Sequence, residues 1–219
     1  ALGRIAAAWF SPLLGSLIYY LFGIHRVSRR AARFNKLDDA KAKPPADIAP
    51  DTSRPSIALL SQCGARITSS PLTNGNGLTI LKGGDEAYPA MLAAITGADR
   101  CIALTSYIFR NDAAGHAFAD ALIAARARGV EVRVLLDSVG IGYIYPRIFH
   151  RLKAGGVFAA RFLHTWVPWR MPFLNMRNHR KLLVVDGRVG FLGGINVGAE
   201  NSQALSPGTY IQDIHFRVE

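Results

Sequence analysis

A histidine, a lysine and an asparagine gathered around a glycine pair are the residues best equipped for chemistry in this chain. They occur as His179-Arg180-Lys181, then Asp186, then Gly193-Gly194-Ile195-Asn196. An imidazole can attack or carry a proton, an ammonium pairs with phosphate, and a side-chain amide donates to a phosphoryl oxygen. Gly193 and Gly194 have no Cβ and let backbone approach a ligand closely. A lone His179 or Lys181 would fit an ordinary basic patch equally well. The whole spaced set points to phosphodiester chemistry.

The elements that must position this set follow from local pattern. Residues 181–185 (KLLVV) form a β-branched and leucine-rich run, Asp186-Gly187 is a strong turn signal, and residues 189–192 read as a return strand, which together predict a β-hairpin. Side chains alternate along a strand, so His179 and Lys181 should project to the same side, within a few ångströms of Asn196 and near the rim of the sheet.

The spacing His179-x-Lys181-x4-Asp186-x6-Gly193-Gly194-x-Asn196 resembles the HKD motif of the phospholipase D superfamily, and Asn175-Met176-Arg177-Asn178 before it is similar to bacterial cardiolipin synthases. Trp9, Pro12, Gly15, Tyr19 and Gly23, followed by an arginine-rich stretch, resemble that family's second membrane segment. The blocks at 84–88 (GDEAY), 107–112 (YIFRND) and 135–140 (LLDSVG) resemble its recurrent blocks, so nearly the whole chain is covered. Members of the family carry two HKD motifs, whereas this sequence carries one and stops inside the strand-like run DIHFRVE. The resemblance therefore implies an amino-terminal half truncated at both ends, completed either by a carboxy-terminal HKD half or by a second copy.

What the resemblance implies about chemistry is specific. One HKD histidine becomes covalently phosphatidylated while the histidine of the other motif serves as acid and base. His179 takes one of these roles, with nucleophile favoured and acid as the alternative. Lys181 and Asn196 would grip the phosphoryl oxygens, with no cofactor or metal required. Asp213, on the strand downstream of the motif, would hold the imidazole in one tautomer. Asp186 is the motif aspartate but occupies a turn position where aspartate is common anyway, which gives it a structural role. Asn178, Gly193, Gly194 and Tyr107 are the candidate substrate contacts. Tyr107, Asp112 and Asp137 fall at strand ends, where open α/β sheets place ligands, although each could equally cap a loop.

The rest of the chain bounds the setting. Residues 5–24 form an uncharged run long enough to cross a hydrocarbon core, which takes about 20 apolar residues. Arg26, Arg29, Arg30, Arg33 and Lys36 follow with no acid among them, so the positive-inside rule places that side, and the enzymatic part after it, in the cytoplasm. The resemblance implies that the membrane is a bacterial inner membrane. A net charge of +11 and a pI near 10.2 suit an anionic membrane surface or a nucleic acid. The apolar run makes lipid the nearer partner and disfavours nucleic acid, and the resemblance to cardiolipin synthases implies phosphatidylglycerol as that lipid. Residues 38–55 read as a polar linker. Cys63 and Cys101 are too few for a disulfide framework, and Cys101 in its apolar run reads as a buried thiol. The loop 164–178, rich in Trp, Met and Phe with two arginines, suits either lipid contact or packing on protein.

These readings give three segments: a transmembrane helix over 1–24, a basic juxtamembrane stretch and linker over 25–55, and a first HKD domain over 56–219. Strands are expected at 78–81, 101–109, 130–136 and 158–163, with helices at 86–96, 113–128 and 146–154. That alternation, with the resemblance, implies a layered α/β/α phospholipase D-like domain. Two functions compete. One is a phosphatidyltransferase that condenses two phosphatidylglycerols into cardiolipin and releases glycerol. The other is a phospholipase D-like nuclease or phosphodiesterase working as a single-motif homodimer.

Overall fold

The computed structural model describes residues 55–68, 75–142, 144–164 and 177–219. The expected membrane span, the linker up to residue 54 and residues 165–176 of the aromatic loop lie outside the described residues. Among the described residues, no helix is long and apolar enough to cross a membrane. The chain divides into two units, 1–76 and 77–219. In the first, α1 (Pro55–Thr68) carries exposed Leu59, Leu60 and Ile67.

Among the described residues, the second unit is built on seven strands: β1 (Leu78–Lys82), β2 (Cys101–Ser106), β3 (Glu131–Asp137), β4 (Phe158–Phe162), β5 (Leu182–Val185), β6 (Val189–Gly193) and β7 (Ile214–Val218). They form one sheet in the order β1-β7-β6-β5-β2-β3-β4. β2, β3 and β4 run parallel, and all the other neighbours are antiparallel. Three α-helices among the described residues accompany them: α2 (Gly83–Thr96), α3 (Ala113–Ala127) and α4 (Arg147–Ala154). The alanine-rich α3 starts where the Asp112 carboxylate accepts the Gly115 N–H at 2.9 Å, a side-chain N-cap, and it stops at Gly129 with φ of 96°.

Strand parity explains where the core lies. Ile102 and Leu104 on β2, Val132, Val134 and Leu136 on β3, Leu183 on β5 and Phe191 on β6 share one face and are buried against Ile95, Phe118, Leu122 and Leu152 of the helices. The opposite face presents Leu78, Ile80, Leu135, Phe158, Leu182, Leu192 and Ile214, all exposed. The described residues of this unit thus make a mixed α/β fold of two layers, and the third layer of the expected α/β/α arrangement is not among them. Cys101 corrects the buried-thiol expectation. It is exposed because its odd position in β2 turns it to this second face.

Element boundaries shift for local reasons. α2 begins three residues earlier than expected, directly after Lys82, whose N–H donates to the Glu86 carboxylate at 2.8 Å. Pro89 is therefore the seventh residue of α2, where a first-turn position was expected. β2 ends at Ser106, whose hydroxyl donates to the Ile108 carbonyl at 2.6 Å, and Phe109 instead makes a single parallel bridge with Val197.

Candidate active site

Register brings the chemically equipped residues to one end of the sheet. β2 and β3 finish there, giving Tyr107 and Asp137. β5 starts there, after Asn178, His179 and Lys181; β6 ends there in Gly193 and Gly194; and β7 starts there after Asp213. Two parallel strands that finish beside antiparallel strands at this end form an open rim of loops. Ligand sites in open α/β sheets lie outside such strand ends.

His179 is exposed at this rim, and its Nδ1 lies 3.1 Å from Lys181 Nζ. Lys181 Nζ also donates to the His179 carbonyl at 3.0 Å. Residues two apart thus meet on one side, as alternation requires, although the regular strand begins only at Leu182. The Tyr107 ring lies 4.4 Å from the imidazole, centroid to centroid, at 41°, and Lys181 Nζ is 5.5 Å from the centre of the same ring. Tyr107 thereby walls the histidine–lysine pair on one side. Burial lowers the Lys181 pKa below the ordinary lysine value, and the Asp213 carboxylate opposes that shift.

Neighbouring groups fix the backbone. Asp137, itself buried, accepts the Asn178 N–H at 2.8 Å and the Val139 N–H at 3.0 Å. Asn178 Nδ2 donates to Thr105 Oγ1 at 2.8 Å, so both ends of Asn178 are tied down next to His179. Asn196 Oδ1 accepts the Ile108 N–H at 3.2 Å. That bond fixes the amide's orientation and leaves its two N–H groups without a partner among the described residues. The loop carrying Asn196 is held by Tyr88, whose hydroxyl donates to the carbonyls of Asn196 at 2.8 Å and Gly198 at 2.7 Å. Burial pushes the Tyr88 phenol's pKa up, keeping it a donor at any ordinary pH. Asp112 adds a bond from the Ala199 N–H at 2.7 Å.

The glycine pair has a steric reason. A Cβ on Gly193 would strike the Ile214 carbonyl and the His215 backbone, and one on Gly194 would strike the Asp213 carboxylate. Asp213 is therefore pressed against the Gly194 backbone. It accepts the Ile214 N–H at 2.7 Å, and among the described residues no hydrogen bond joins it to His179.

Asp186 stands apart from all of these. It lies in the β5–β6 turn, at the other end of the sheet, where its carboxylate accepts the backbone N–H groups of Asp99 (3.0 Å), Arg100 (2.8 Å) and Cys101 (2.8 Å). Asp186 and Gly187 both have positive φ, 55° and 67°, as a type I′ turn requires. The three N–H donors, that of Asp99 first, hold its pKa below the usual carboxylate range. Its contribution to stability is thus present above the ordinary carboxylate pKa and lost as pH falls through the lowered one. Asp186→Ala is expected to destabilise the fold by on the order of 2 kcal/mol, discounted for the turn's exposure. Urea unfolding measures this, while the turnover of whatever remains folded should stay within a few-fold of wild type.

Sequence reasoning left out Tyr88 and Thr105, whose hydrogen bonds go to backbone or a neighbouring amide and which belong to no reactive pattern. The cue for Tyr88 was a tyrosine on the apolar face of α2, whose buried hydroxyl must find an acceptor.

Residues 91–205, slightly over half the chain and including the whole span from Lys181 to Asn196, match the family described as cardiolipin synthase, PLD-like domain. The chain belongs to this family. Among curated relatives, a cardiolipin synthase of Geobacillus thermodenitrificans is 35% identical over 201 residues, covering 86% of this chain and 39% of the relative. Cardiolipin synthase 1 of Bacillus anthracis is 29% identical over 226 residues, covering 97% of this chain and 44% of the relative. The chain thus spans less than half the length of these relatives. Among solved structures, the phospholipase D family member Nuc from Salmonella typhimurium is similar at 20% identity and a TM-score of 0.49, covering 66% of this chain and 83% of that one. Family membership rests on the sequence match. In this phospholipase D-like domain, the matched region holds every residue of the histidine–lysine rim except Tyr88 and Asp213.

Proposed function

We propose that this chain is the first HKD half of a membrane-anchored phosphatidyltransferase that makes cardiolipin and glycerol from two molecules of phosphatidylglycerol through a phosphatidyl-histidine intermediate. The observation that carries the reading is the meeting of His179 and Lys181, 3.1 Å apart beneath Tyr107 at the open rim, inside a region matching the cardiolipin synthase family. Residues 5–24 would supply the anchor, with the domain facing the cytoplasm.

The steps balance as follows. His179 Nε2 attacks phosphorus, the bond from phosphorus to the head-group glycerol oxygen breaks, and that oxygen takes a proton from the histidine of the second half. The same histidine then removes a proton from a hydroxyl of the second phosphatidylglycerol. Its oxygen attacks phosphorus and releases His179. Lys181 and the free Asn196 N–H groups hold the non-bridging oxygens, whose charge grows in each transition state.

The resting geometry constrains this sequence. A protonated Lys181 donating to Nδ1 leaves the imidazole proton on Nε2, the wrong nitrogen for attack. An arriving phosphate draws the ammonium away. Nδ1 can then carry the proton and donate it to an acceptor, and Asp213, close enough to influence Lys181 electrostatically, is the proposed acceptor.

The test is an assay of the chain with and without the remainder of the full-length protein, on phosphatidylglycerol vesicles and on a phosphodiester-linked nucleotide. Cardiolipin and glycerol should form only when the second half is supplied, and EDTA should leave the rate largely intact. Turnover by the chain alone, with the nucleotide as the better substrate, would replace this reading with the homodimeric phosphodiesterase.

A further inference from the structure

The loop from β3 to α4 exposes apolar side chains at the active end of the sheet. Ile144 is 78% and Tyr145 72% exposed, more than most large apolar residues of the second unit. An isolated Leu or Ile on a surface needs no explanation, but two adjacent ones beside a charged helix do. α4 buries Ile148, Phe149 and Leu152 and turns Arg147, His150, Arg151 and Lys153 outward. The Arg147 guanidinium lies 5.4 Å from the centre of the Tyr145 ring, so cation and apolar tip are one unit. Lys153 of α4 and Arg161 of β4 lie 5.8 and 5.1 Å from the centre of the Phe149 ring, which adds two cations beside this helix.

Charge distribution sets the kind of partner. From residue 138 to residue 163, across the loop, α4 and β4, the chain contains four Lys and Arg and no Asp or Glu. Asp120 of α3 neutralises Arg151 and offsets one of these cations. The surface is therefore cationic around an apolar tip, the composition that suits an anionic lipid–water interface and not an apolar protein contact. Position supports the same partner. The Asp137 carboxylate that accepts the Asn178 N–H also accepts the N–H of Val139, the second residue of this loop, so loop and catalytic hairpin hang from one side chain.

We propose that the β3–α4 loop and α4 dock on an anionic bilayer, with Ile144 and Tyr145 inserted below the headgroups and the α4 cations at the phosphates. This deepens the function proposed above by giving the rim a direct contact with the surface that holds its substrate. It rests on that reading for the identity of the lipid.

The experiment places an environment-sensitive NBD label at Ile144→Cys in the full chain carrying Cys63→Ser and Cys101→Ser, with Arg188→Cys at the opposite end of the sheet as control. Phosphatidylglycerol vesicles should raise emission at position 144 at least twofold with a blue shift, and doxyl lipids should quench it. Position 188 should change little, and phosphatidylcholine vesicles should have a weaker effect. Equal responses at the two positions would overturn the proposal, as would equal responses to the two lipids. So would blue-shifted emission at 144 before lipid is added, which would show a protein surface covering the loop. In the full-length protein, the Ile144→Asp/Tyr145→Asp pair should raise KM on vesicles about tenfold and leave kcat on dispersed short-chain phosphatidylglycerol unchanged; an unchanged vesicle KM counts against insertion. Fluorescence reads contact and not turnover, so insertion without transfer would sink the proposed function alone.

Discussion

His179→Asn, in the full-length protein, is expected to lower phosphatidyl transfer by roughly 10^5-fold, the scale on which loss of a covalent nucleophile removes the reaction path. Asparagine keeps a polar group of similar reach but has no basic nitrogen to attack phosphorus. The loss should appear in kcat, with binding of phosphatidylglycerol largely retained, because Lys181 and Asn196 still face the substrate. The fold should be unaffected, since His179 is exposed and its ring meets the side chains of Tyr107 and Lys181 at the rim. A thermal melt within a few degrees of wild type, together with a residual rate near zero, is the expected pair of readings. Retention of more than about one-hundredth of the activity would mean that His179 does not form the covalent bond.

Lys181→Met should cost about 10^2–10^3-fold, as for the removal of one charge-stabilising donor. Methionine preserves the length of the chain beside Tyr107 and deletes only the cation. Because the ammonium is needed, activity should fall as pH rises through the pKa of Lys181, and burial sets that fall below the ordinary lysine value. Asp213 opposes the shift. Asp213→Asn should therefore move the alkaline limb of the kcat/KM profile to still lower pH, while slowing transfer less than His179→Asn does. An alkaline limb that stays in place would separate Asp213 from Lys181 and remove the carboxylate from the account.

Legibility in the sequence followed the range of the forces involved. Hairpin, turn and glycine pair are local, and residues 181–196 placed them to within a residue. The parallel strands and their helices were readable from periodicity, but some of their ends were not: α2 began three residues early and β2 ended at Ser106. Strand parity could not be read without the register. Cys101 was expected to be buried because its run is apolar throughout, and only the pairing with Glu131 shows that it faces the exposed side. Asp186 was recognisable as a turn residue, but its three backbone partners lie some 85 residues away and could not be foreseen. Tyr88 was missed for the same reason: its acceptors, Asn196 and Gly198, are brought to it only by the sheet. Asp213 was reached through family resemblance, and the structure adds its contact with Gly194 and its influence on Lys181.

The direct test of the central claim is to trap the intermediate. The full-length protein, mixed with labelled phosphatidylglycerol and quenched within milliseconds at mildly alkaline pH, where phosphohistidine survives, would be digested and its peptides weighed. The account predicts a phosphatidyl adduct on the peptide containing His179, absent in His179→Asn, that forms and decays at rates compatible with turnover. An adduct found only on the histidine of the second half, with His179 unmodified throughout, would contradict it and make His179 the general acid.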